Sequence, residues 1–162
     1  MIRIPTSQEI LNMLVNEFSQ VINTTKAHRG YAQHSVVPSL SIEFSGQSIK
    51  TNRKRWRTTE TSTDVTIRYK VNDFLYTFEL NALVPENQIN LLDQIVSAVV
   101  NNPYKTDSNG EQLELSITPF EFQEETDKQG INKYRAVLTV KGISVLDKNY
   151  PKIPVNTEVT FS

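Results

Sequence analysis

Between positions 63 and 84 almost every second residue is apolar: Val65, Ile67, Tyr69 and Val71, then, beyond Asn72-Asp73, Phe74, Tyr76, Phe78, Leu80 and Ala82. A period of two is the repeat of a strand with one face on a core and the other in water. The stretch therefore commits the chain to a sheet with two unlike faces. Asn72-Asp73 has turn chemistry, and the stretch reads as a β-hairpin closed there. Shorter runs repeat the pattern at Leu40, Ile42 and Phe44, at Leu113, Leu115 and Ile117, and at Tyr134, Ala136, Leu138 and Val140. The last two runs read as a second hairpin, with a kink or edge near Pro119 and a charged loop over residues 121–130.

Two segments follow the helical period instead. Pro5, Thr6 and Glu9 have the spacing of a capping box, and Ile10, Leu11, Leu14, Val15, Phe18, Val21 and Ile22 then fall on one stripe. Pro85 and Glu86 suit a helix first turn, and Ile89, Leu92, Ile95, Val96, Val99 and Val100 form a second stripe that stops at Asn101-Asn102-Pro103. The order α, β, β-hairpin, α, β-hairpin, β predicts an α+β fold: a mostly antiparallel sheet with two amphipathic helices packed on one side, plus an extended basic arm. The 162 residues suit one core and one domain. Within it, residues 46–62 are expected to protrude as an arm or long hairpin. Residues 148–162 are expected to run extended, with Val155, Thr157, Val159 and Phe161 on one side, as an edge strand or a strand that pairs with a neighbour.

Composition removes several kinds of function. Seventeen basic against eighteen acidic residues leave a net charge of −1, so no global field steers the chain to nucleic acid or an anionic membrane. There is no cysteine, and His28 and His34 stand six apart in an aperiodic stretch, so neither thiolate chemistry nor a metal site is expected. The five glycines stand alone, which leaves no phosphate-cradling loop, and Glu124-Glu125 read as solvated charge. The expectation is a protein that is not an enzyme, with no catalytic residue, metal or cofactor. No run approaches the roughly 18 apolar residues that span a bilayer, and the start lacks a signal peptide, so a cytoplasmic product without a membrane partner is expected.

The strongest local anomaly is basic. Lys50, Arg53, Lys54, Arg55 and Arg57 fall within eight residues together with Trp56, the only tryptophan. Trp and Arg are favoured anchors of protein interfaces, and a protein contact is the first reading of these six residues. A plain solvated hairpin comes second. A phosphate contact with nucleic acid, made by the same cations, comes third.

The helix at 6–22, the segment Val65-Thr66-Ile67-Arg68-Tyr69-Lys70 through Phe78-Glu79-Leu80, the run Asn87-Gln88-Ile89-Asn90-Leu91-Leu92-Asp93-Gln94-Ile95-Val96 and the strand ending Tyr134-Arg135-Ala136-Val137-Leu138-Thr139-Val140 together resemble, in order and style, the tail-terminator or tail-completion proteins of tailed bacteriophages, the minor tail protein U type. The resemblance implies a structural virion protein. It implies a homo-oligomer, a hexameric ring at the head-tail junction that ends the tail tube and joins it to the head connector, with neck and tail-tube proteins as partners. It brings no catalytic set. The long basic arm and the Pro-rich tail depart from that family, so another neck or baseplate subunit, or a small nucleic-acid-binding module acting through the arm, are the alternatives.

Overall fold

A computed structural model describes residues 2–26, 36–126 and 130–153; His28, His34 and the segment with Val155, Thr157, Val159 and Phe161 lie outside the described residues. Eight strands make one sheet: β1 (Ile2–Arg3), β2 (Asn23–Lys26), β3 (Ser39–Glu60), β4 (Asp64–Pro85), β5 (Tyr104–Thr106), β6 (Gln112–Ile117), β7 (Glu121–Glu125) and β8 (Ile131–Pro151). Two helices of twelve residues each, α1 (Ser7–Phe18) and α2 (Asn90–Asn101), and one 3-10 turn complete the described elements. The strand order is β2-β3-β4-β8-β6-β5, with β1 and β7 also on β8. Among the described strands only β2 runs parallel to its neighbour.

The α+β expectation is overturned: strand accounts for 60% of the described residues, and the sheet curls into a half-barrel that makes the fold mostly β. The difference arises where polar sequence was read as irregular. Residues 46–60, expected as an arm or long hairpin, form the second half of the 22-residue β3, one limb of the β3–β4 hairpin, and 121–125 form β7 rather than a loop. Neither stretch alternates in hydrophobicity, because neither has a face on the core. Their backbones are nevertheless held in ladders, which no side-chain pattern reports.

The hairpin expected at Asn72-Asp73 is also absent. β4 runs unbroken from Asp64 to Pro85, and the true turn lies at 61–63, between β3 and β4. The change from odd to even apolar positions at 71–74 is instead a β-bulge: Lys70 pairs with Val145 and Asn72 with Ser144, leaving Val71 as the extra residue. A bulge shifts the alternation by one and so keeps Val65, Ile67 and Tyr69 on the same face as Phe74, Tyr76 and Phe78. β3 answers with irregularities of its own at 44–46, 51–54 and 55–57. Bulges bend strands and increase their twist, which accounts for the curl of so long a sheet.

The helices cover one face. Ile10, Leu11, Leu14 and Phe18 of α1 and Leu92, Ile95 and Val99 of α2 pack with Leu40, Ile42, Phe74, Tyr76, Phe78, Leu80, Leu113, Leu115, Leu138 and Val140. Thr6 caps α1 by accepting from the Glu9 amide at 3.1 Å, as the capping spacing predicts. The helix is shorter than its apolar stripe: it ends at Phe18, whose carbonyl takes the amides of Val21 and Ile22 in a tight turn. Pro85 closes β4 instead of opening a helix, and a 3-10 turn over Glu86–Gln88 precedes α2.

One core contact depends on a missing side chain. A Cβ on Gly142 of β8 would lie 2.5 Å from Phe74 Cζ and 2.8 Å from Leu113 Cδ2. Phe74 is 1% exposed and Leu113 equally so, which leaves neither ring nor methyl room to retreat. Gly142→Ala is expected to cost about 1–3 kcal/mol by overpacking, read from the midpoint of chemical denaturation.

Candidate interaction surface

The helices cover only the proximal half of the sheet. Beyond it, the distal parts of β3, β4 and β8 continue as a three-stranded ribbon that ends at the 61–63 turn and at Pro151, paired with Asp64. β2 pairs with β3 only from Ser39 to Ile42, so the outer edge of β3 carries no described partner strand from there to Glu60. Fifteen strand residues from Gly46 onward correspond to about 50 Å of free edge. Long open edges invite pairing with other chains, and cations and bulges restrict which chains succeed.

All six residues of the basic cluster lie on this edge, and all are exposed. Their environments differ. Among the described residues Lys50, Arg53, Lys54 and Arg55 make no ion pair, whereas Arg57 reaches Glu111 at 3.2 Å. Trp56 is 39% exposed, in the irregularity between Arg55 and Arg57, and the ammonium groups of Lys54 and Lys70 lie 5.4 and 5.7 Å from its ring centroid. Those two cations hold the indole on the surface.

The ribbon has two distinct faces, since directly opposed residues share one. On the first, continuous with the core face, Arg55, Tyr69 and Leu146 stand in one row, Thr58, Ile67 and Lys148 in the next, and Glu60, Val65 and Tyr150 in the last. Lys148 lies 5.6 Å from the Tyr69 ring centroid, and a hydrogen bond with Tyr69 pushes the Tyr150 hydroxyl up from its ordinary pKa. On the second, Arg57, Arg68 and Asp147 form a row. Arg68 forks onto Asp147 at 2.8 and 3.1 Å and reaches Glu111 at 2.6 Å, while Arg3 also pairs with Asp147.

Glu111 is only 1% exposed, and the turn before it aims it at these arginines. Asp107 accepts from the amides of Asn109 and Glu111 at 2.8 and 2.9 Å, and Gly110 supplies the positive φ of 79°. The Asn-Gly pair signals that turn in the sequence, but nothing local reveals that Glu111 meets β3 and β4 across the fold. Removing the carboxylate takes one charged hydrogen-bond partner from the part-buried Arg68, which keeps Asp147, so Glu111→Ala is expected to destabilise by about 1.5–3 kcal/mol. Arg57→Ala is expected to cost under about 1 kcal/mol, because Arg57 is half in water and Arg68 keeps Glu111 paired. Urea titrations of the two variants measure the contrast.

A second bracket holds the ribbon to the body. Asp73 accepts from Lys70 at 2.7 Å and from the Asn52 amide at 2.8 Å, tying the irregular stretch of β3 to the bulge of β4. These contacts, Lys70 first, hold its carboxyl below the usual value. The bracket therefore contributes stability that is full above the unfolded carboxylate pKa of about 3.9 and is lost as pH falls through the lower folded value. Asp73→Asn is expected to flatten the acid limb of the stability curve below about pH 4, measured by denaturation at successive pH values.

No family model matches the chain, and no curated protein sequence is significantly similar to it.

Proposed function

We propose that the protein is a structural subunit that assembles with copies of itself into a hexameric ring, and that this ring sits at the head-tail junction of a tailed bacteriophage, where it ends the tail tube and binds the head connector. The observation that carries the assembly reading is the three-stranded ribbon: a long strand edge without a described partner, with an exposed tryptophan and four cations that make no ion pair among the described residues, stands clear of the helix-covered core. Residues that serve only the fold of one chain do not need that exposure, and Trp with Arg is the pairing that interfaces favour. The phage setting rests on the resemblance in element order and style of the helix at 6–22, the β4 region, the α2 region and the strand through 134–140.

Excising residues 48–60 would strip β4 of its partner strand, so point changes on the edge are the sounder probe. Native mass spectrometry and negative-stain microscopy of the purified full chain are expected to show one closed ring of fixed stoichiometry. A monomer at a concentration of about 100 μM, far above the micromolar range of ordinary weak complexes, overturns the assembly reading. Steeply salt-dependent DNA binding by that monomer, lost in Arg53→Glu with Arg55→Glu, would put a nucleic-acid role in its place.

A further inference from the structure

The end of the molecule farthest from the ribbon tip exposes a group of carboxylates, with Lys133 and Arg135 of β8 beside β7. β7 is exposed at every position and presents Glu121, Glu124 and Glu125, and Glu86 and Asp93 are exposed just before and within the first turn of α2. None of these five carboxylates has an ion pair among the described residues. Beside them an open groove of about 330 Å³ runs between α2 and the β7–β8 flank, lined by Ile89, Leu92, Asp93, Val96, Phe120 and Tyr134. Phe122, 58% exposed, packs edge-on against Tyr134 at 5.8 Å on the rim. β7 pairs only with β8, so its outer edge, like that of β3, carries no described partner.

The acidic groove and the basic edge cannot serve each other within one chain. β7 pairs with residues 132–135 at the start of β8, whereas Lys50, Lys54, Arg55 and Arg57 lie level with residues 143–147 of that strand, across β4. The intervening stretch of β8 is about 30 Å long. We propose that the groove and β7 edge of one copy receive the β3 edge of a second copy, with Trp56 seated in the apolar groove and the cations beside it, Arg53, Lys54 and Arg55, facing Asp93 and the β7 glutamates. Two open edges of opposite charge meet, and the charges that blunt each edge against indiscriminate pairing select the other. The contact joins two different patches, so every copy offers both halves and the association propagates head to tail until it closes. This inference rests on the assembly reading and supplies its contact.

The test uses the full chain in three forms: Arg53→Glu with Arg55→Glu, Glu124→Lys with Glu125→Lys, and all four together. Each pair alone sets like charges against each other and is expected to weaken self-association at least about tenfold, while the fourfold variant recovers it by exchanging the signs. Sedimentation gives the association, and thermal melts confirm that each form folds. Because Trp56 is the only tryptophan, its emission follows the contact directly and is expected to shift to the blue when the wild type associates. Pair variants that assemble as the wild type does, a fourfold variant no better than the pairs, or an unshifted Trp56 emission in the assembled wild type would each overturn this docking while leaving assembly intact. A wild type that stays monomeric overturns both.

Discussion

β4 is the element on which the rest depends, because it is hydrogen-bonded along both edges for its whole length, to β3 on one side and to β8 on the other. Proximally its inward residues Phe74, Tyr76, Phe78 and Leu80 floor the core under both helices. Distally the same strand is the central member of the ribbon. Core and projecting surface are thus parts of one continuous ladder. The angle between them is set by the bulge at Val71 and the irregularities of β3 beside it, with Asn52, Asp73 and Lys70 as the clasp.

The ionic cluster around Glu111 and Asp147 performs a comparable task at the outer face. Arg3 of β1, Arg57 of β3 and Arg68 of β4 converge on two carboxylates, one from the β5–β6 turn and one from β8. Burial of Glu111 requires cationic partners, and its two oxygens meet Arg68 and Arg57, since an unpaired carboxylate there would carry its full desolvation cost. The five cations of residues 50–57 therefore do not form one functional set. Arg57 pairs with Glu111 and Lys54 lies against Trp56, while Lys50, Arg53 and Arg55 have no ion pair among the described residues.

What could be read in advance follows physical lines. Both helices, the capping by Thr6 and the inward faces of β4, β6 and β8 are legible because burial on one side imprints a period on the residues. The ribbon half of β3 and all of β7 left no such imprint, as both of their faces meet water, and the mostly β character of the fold was missed for that reason. The misplaced hairpin has a subtler cause. A shift in alternation at Asn72-Asp73 is compatible with a turn or with a bulge, and only the presence of β3 and β8 on either side decides between them. The basic cluster was visible as a cluster. The pairing of Arg57 with Glu111, fifty-four positions away, was not, and neither was the acidic groove beside α2.

The order of the strands along the chain has a consequence for biosynthesis. β3 and β4 emerge from the ribosome as neighbours joined by a three-residue turn, whereas the second edge of β4 is filled only by β8, with Asp64 waiting for Pro151. Until then the nascent hairpin shows aromatic residues on one face and an open ladder on its flank, the kind of species that associates wrongly. Arrival of β8 closes that flank, sets Asp147 against Arg68 and gives the ribbon its third strand in one event. Formation of the ribbon is in this way tied to synthesis of β8, and a chain that stops before it lacks the third strand.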